Sequence, residues 1–175
     1  MDVILSIKPK YVDAIIRGIK KYEFRKFCFK SRNIDNIYIY STSPVKKIVG
    51  LFVTHNIVRD SPQNLWINYK EVSGVGEIEF FNYFKNSEMG YAIEINDLKE
   101  FESPVDPRKI IPRFMAPLSF CYIDGRLMKD QKLFNQLRNN YCEDHLNGSI
   151  CQSTISDYAK FETILKSNRD FMDEK

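Results

Sequence analysis

The chain lacks a long apolar run. None of its 175 residues lies in a charge-free stretch of about 18, which is what a membrane-spanning helix needs. No basic leader followed by an apolar segment opens it, so no export signal is read and the cytoplasm is the expected compartment. It has only four cysteines, Cys28, Cys121, Cys142 and Cys151, with no CxxC pair, and these are expected as reduced thiols. Its two histidines, His55 and His145, stand apart from the charged motif described below, which argues against histidine-based catalysis. Cys142-x-x-His145 followed by Cys151 is too loosely spaced for a zinc framework, so no metal is expected. A glycine-rich phosphate loop, a Ser-His-Asp order and a haem motif are all missing, and no cofactor is expected. Internal repeats and low-complexity tracts are missing too.

What is present is ample core material. Hydrophobic residues make up 43% of the chain, with 13 Phe and 10 Tyr, enough for one domain or one domain with an appendage. The net charge of +3 hides an asymmetry. Residues 1–47 hold 11 Lys/Arg against 4 Asp/Glu, a net of +7, while residues 48–175 hold 15 against 19, a net of −4. A face built from the first segment attracts polyanions.

Val3 to Ile7 reads as a first strand. Pro9 suits the first turn of a helix that carries Val12, Ile15, Ile16 and Ile19 at helical spacing, with Gly18 as its C-terminal cap. Lys21 to Phe27 alternates: Tyr22 and Phe24 face one way, Glu23 and Arg25 the other. Ile34 to Tyr40 is a further strand, and Ile48 to Val58 a long one able to bend around a barrel. Ser61-Pro62 starts a helix with Leu65, Trp66 and Tyr69. Gly76 to Lys85 is a second helix, acidic at its start and apolar at Ile78, Phe81 and Phe84. Tyr91 to Ile95 and Pro117 to Ile123 read as strands. The stretch between them, marked by Pro104, Pro107, Pro112 and Pro117, reads as loop and edge. Leu127 to Arg138 and Thr154 to Phe171 read as helices. The sum is an α+β fold with a mostly antiparallel barrel at residues 1–123 and a helical extension at 124–175 that packs on it.

The most informative run is Gly18-Ile19-Lys20-Lys21-Tyr22-Glu23-Phe24-Arg25, which follows the first helix and enters a strand. With Leu5-Ser6-Ile7-Lys8-Pro9 before it, Ile39-Tyr40-Ser41-Thr42-Ser43-Pro44 and Val49-Gly50 after it, and Gly90-Tyr91-Ala92-Ile93-Glu94-Ile95 further on, it resembles an ASCH domain of the PUA-like β-barrel superfamily. The family pattern G-x-K-x-x-E-x-R falls on Gly18, Lys20, Glu23 and Arg25. The Leu65-Trp66 helix, the Glu79-Phe80-Phe81 helix and the Gly90 to Ile95 segment resemble the archaeal and bacterial subgroup of predicted transcriptional regulators. The resemblance spans about residues 3 to 122. It implies a cleft beside the first helix in which relatives bind RNA or modified bases. Some ASCH proteins resemble ribonucleases, and one branch hydrolyses N4-acylated cytidine.

The expected ligand is therefore RNA, another nucleic acid or a nucleotide, held in a basic cleft by Lys8, Lys20, Glu23, Arg25, Lys26, Ser41, Ser43 and Lys46. An ammonium at Lys20 can hold a phosphate or, when desolvated, act as a base. Strict alternation puts Lys20 across the strand from Glu23 and Arg25, but at a helix-to-strand junction alternation need not yet hold. Glu23 and Arg25 are either a structural ion pair or a contact set for base and phosphate. Ser41 and Ser43 can donate to phosphate or serve only the turn before Pro44. The alternative is an enzyme on the same residues. In a metal-independent ribonuclease Lys20 and Glu23 are the catalytic pair. In an N4-acylcytidine-type amidohydrolase the family's threonine nucleophile is replaced here by Glu23, and its later glutamate is nearest to Glu71.

Overall fold

The computed structural model describes residues 1–30, 34–111 and 113–123. The helices expected over residues 127–138 and 154–171, and the Cys142, His145 and Cys151 group, lie outside the described residues. In chain order the elements are β1 (Asp2–Ile7), α1 (Pro9–Ile16), β2 (Tyr22–Arg25), β3 (Ile37–Ser41), β4 (Lys47–Val53) and β5 (Ile57–Asp60). Then follow α2 (Pro62–Tyr69), a 3-10 turn (Lys70–Val72), α3 (Glu77–Phe84), β6 (Gly90–Glu94), β7 (Asn96–Val105), α4 (Pro107–Ile110) and β8 (Phe120–Ile123).

The strands form two sheets rather than one closed barrel, ordered β7-β4-β3-β1-β8 and β2-β6-β5. Among the described residues only β1 and β3 pair in parallel, in register from Val3 with Ile37 to Ile7 with Ser41; the other pairings are antiparallel. Strand alternation divides the larger sheet between two cores. Val3, Leu5, Ile7, Ile37 and Ile39 pack with Val12 and Ile15 of α1 and Ile93 of β6. Ile4, Tyr38 and Tyr40 face the other way, onto Leu51, Phe101 and Ile110. The smaller sheet has its own core: Phe24 and Ala92 lie against Leu65 of α2 and Phe80 and Phe84 of α3. Each sheet is thus covered by helix on one face.

Several expectations are corrected. Ile48 to Val58 is two strands in different sheets, not one bent strand, and His55 lies in the turn between them. Polar side chains make that turn: the Thr54 hydroxyl donates to the Asn56 carbonyl at 2.9 Å, and the His55 N–H donates to Asn96 Oδ1 at 3.1 Å. The proline-marked stretch contains the ten-residue strand β7, at the edge of its sheet, where Pro104 costs no interior ladder bond. On α3 the buried positions are Phe80 and Phe84, while Ile78 is 81% exposed. Among the described residues no helix is long and apolar enough to cross a membrane.

Candidate functional site

Where α1 passes into β2, three charged side chains are buried: Lys20 is 3% exposed, Glu23 5% and Arg25 8%. Local chain geometry sets the first of them. Gly18, at φ +70°, ends α1. Its N–H donates to the Ile15 carbonyl and the Ile19 N–H to the Ala14 carbonyl, both at 2.9 Å, the double bond of a Schellman cap. The Lys20 N–H also reaches the Ala14 carbonyl at 2.9 Å, and the Lys21 N–H donates to the Val72 carbonyl. Lys20 is therefore fixed by the cap, two residues before alternation begins at Tyr22. That lets its side chain turn towards Glu23 and Arg25, which share one face of β2.

The Lys20 ammonium lies 3.5 Å from Glu23 Oε2 and donates to the Ser73 carbonyl at 2.9 Å. It stands 4.7 Å from the Phe24 ring centroid and 5.4 Å from that of Tyr11, both within cation–π range. Glu23 Oε1 takes the Arg25 Nη2 group at 3.0 Å. Arg25 Nη2 also donates to the Ser6 carbonyl at 2.5 Å, and Nη1 reaches Ser119 Oγ at 3.4 Å. Ser6 joins these parts: its N–H donates to the Ser119 carbonyl at 2.9 Å and its hydroxyl to the Pro117 carbonyl at 2.7 Å. Two polar atoms remain without a hydrogen bond, Glu23 Oε2 and Arg25 Nε. Burial holds the Lys20 ammonium below the usual lysine range, opposed by the Glu23 carboxylate. In their charged forms the three groups sum to +1 in a desolvated place, which favours an anion as the missing partner.

The trio sits in a cavity of ≈640 Å³, within the size range of small-molecule sites. Lys8 at the end of β1, Tyr11 on α1, Lys26 and Phe27 after β2, Thr42, Glu79 and Tyr83 on α3, and Leu118 and Ser119 before β8 are among the other residues that line it. Tyr11 donates to Glu79 Oε1 at 2.6 Å, and Lys10 pairs with the same carboxylate, so α1 and α3 are clipped together along one wall. Hydrogen bonds from Lys10 and then Tyr11 pull Glu79 below the usual carboxylate range, and burial followed by the Glu79 bond pushes the Tyr11 hydroxyl up. Tyr83 accepts the Lys26 N–H at 3.3 Å.

Of the residues singled out from sequence, Lys8, Lys20, Glu23, Arg25 and Lys26 line this one cavity. Ser41, Ser43 and Lys46 do not line it: Ser41 is 2% exposed within the larger sheet, Ser43 and Lys46 are exposed on the turn, and Thr42 between them faces the cavity. Glu71 is exposed in the 3-10 turn, also outside the lining. Sequence reasoning passed over Tyr11, Glu79, Tyr83 and Ser119. Tyr11 and Tyr83 were visible as aromatics on helices already expected. Ser119 carried no local signal, because it enters through contacts with Arg25, 94 residues away in sequence, and with the still more distant Ser6. Among the described residues no three His, Cys, Asp or Glu side chains gather as a metal-binding set.

The two-sheet α+β fold is PUA-like. It is shared with the crystal structure of ASCH from Zymomonas mobilis, at a TM-score of 0.68 and 25% identity over 79% of this chain and 94% of that one. A serine-to-alanine variant of the same Zymomonas mobilis protein matches at a TM-score of 0.65 and 25% identity, over 70% of this chain and 88% of that one. The ASCH domain family model matches residues 5–104, and the chain belongs to the ASCH domain family. Among curated proteins it is similar to an ASCH domain-containing ribonuclease of Zymomonas mobilis, 28% identical over 138 residues, which are 75% of this chain and 89% of that protein.

Proposed function

We propose that residues 1–123 bind RNA in the Lys20–Glu23–Arg25 cavity and cleave it there. The observation that carries this reading is the buried cluster of two cations and one carboxylate, with hydrogen-bonding capacity left over at Arg25 Nε and Glu23 Oε2. The likeness to an ASCH domain-containing ribonuclease along most of its length supports it. In the reaction, a 2′-oxygen attacks the adjacent phosphorus and the bond from phosphorus to the 5′-oxygen breaks. A cyclic phosphate and a free 5′-hydroxyl result. Arg25 holds the phosphate and stabilises its growing charge. Lys20, whose ammonium is disfavoured by burial, accepts the proton of the 2′-hydroxyl in its neutral form, and the leaving oxygen takes one from water at the cavity mouth, the resulting hydroxide being neutralised by the proton Lys20 has taken. Glu23 holds both cations in place. Lys8 and Lys26 at the rim add affinity that falls with salt.

Recognition of a modified base, or a regulatory role without cleavage, would use the same cavity. The test separates them. Purified protein and Lys20→Ala are incubated with labelled RNA, with and without EDTA, and run on native and denaturing gels in parallel. Cleavage by the wild type that is lost in the variant is the expected result. A shifted but intact band, lost in the variant, makes the cavity a binding site alone. RNA neither shifted nor cleaved overturns the proposal.

A further inference from the structure

The mouth of the cavity is apolar where its floor is charged. Eight large hydrophobic side chains stand exposed among the described residues, and three of them, Phe27, Tyr83 and Leu118, line this one cavity. Phe27 is 76% exposed and Leu118 fully so, at 105% of its reference area. Exposed large apolar groups gathered at one cavity are informative in a way that scattered ones are not. The cavity floor fixes where they stand. Phe27 lies two residues beyond Arg25, Leu118 one residue before Ser119, and Arg25 Nη1 reaches Ser119 Oγ at 3.4 Å. The two apolar side chains thus flank the contact that joins their segments. Tyr83 is held by the Lys26 N–H, and the Lys26 ammonium sits 5.8 Å from the Tyr83 ring centroid while donating to the Lys85 carbonyl.

A ligand that suits this site is anionic at one end and presents a flat apolar face at the other. We infer that Phe27 and Leu118 clasp the face of a nucleobase whose phosphate lies on Arg25, Lys8 and Lys26. This rests on the RNA reading above and deepens it. The base must be unstacked from its neighbours to enter, so the substrate is an unpaired segment rather than a helix. Stacking on an aromatic side chain tolerates every base, because every base has a π-face. The rim thus confers affinity without fixing sequence.

Equilibrium binding of short fluorescent RNAs tests it, with an oligonucleotide of equal length that carries abasic positions as the comparison. Lys20→Ala serves as the background where cleavage must be silenced, or the wild type where it binds without cleaving. Phe27→Ala should weaken binding of the base-bearing strand about tenfold, while leaving the salt dependence unchanged. Phe27→Trp should restore it. Lys26→Ala should instead flatten the salt dependence by about one unit of slope. The abasic strand should bind Phe27→Ala and its parent alike. If the parent binds RNA and Phe27→Ala with Leu118→Ala binds it equally well, the clasp is wrong. A loss of thermal stability in that variant, with binding intact, would assign the rim to contacts within the chain and also overturn it. If the wild type neither binds nor cleaves RNA, the reading beneath it fails instead.

Discussion

Lys20 has one carboxylate 3.5 Å away and a guanidinium on that carboxylate's far side. Burial holds its folded-state pKa below the ordinary 10.5. Between those two values the unfolded chain carries the extra proton, so stability rises with pH through that window. Cys28 acts in the opposite sense: burial pushes its thiol from 9.0 up to about 11, and stability is lost as pH rises through that range. Comparing the wild type with Lys20→Met cancels the Cys28 part. The variant's advantage in melting temperature should be greatest at neutral pH and shrink as pH approaches 10.5; a constant gap would remove desolvation of Lys20 as its cause. The residue identities at this site were legible in the sequence, because Lys20, Glu23 and Arg25 sit within six positions. Whether Lys20 shared a side with the other two was not, since that turned on where the helix cap ended and the strand began.

At the scale of elements, two glycines hold Lys20 in place by different means, and their substitutions should differ. Gly18 at φ +70° has open space around its missing side chain, so Gly18→Ala meets only the backbone penalty, about 1 kcal/mol. Gly74 at φ +62° faces Lys20, and an added Cβ would lie 2.5 Å from Lys20 Cβ and 3.2 Å from its Cα. Gly74→Ala adds that clash to the penalty and should cost about 2–3 kcal/mol, with RNA handling lost as Lys20 moves. Urea unfolding of both variants checks the order, and equal costs would remove the clash. The elements were unevenly legible. β1, α1 and β2 announced themselves through alternation and a glycine cap. β7 did not, because an edge strand with only Phe101 buried has little apolar pattern to read. The apolar run from Ile48 to Val58 hid a turn, because the side chains of Thr54 and the distant Asn96 make it, with no glycine or proline.

Across the whole molecule, the positive segment of the sequence and the cavity coincide. Residues 1–47 hold 11 Lys/Arg against 4 Asp/Glu, and Lys8, Lys20, Arg25 and Lys26 of that segment line the cavity. The lining residues outside that segment are Val75, residues of α3, and Leu118 and Ser119 before β8, which sequence order did not bring near. A buried site with one charge in excess is a strain on the fold unless something binds there. Lys20→Met removes the excess, keeps the volume, and leaves Glu23 paired with Arg25. The most direct measurement is therefore the melting temperature and the RNA cleavage of Lys20→Met beside the wild type at pH 7. The account predicts a melting temperature raised by about 2–4 °C, for a gain of about 1 kcal/mol, with cleavage gone. A lowered melting temperature with RNA cleavage unchanged would contradict it, and would make the cluster a structural ion pair.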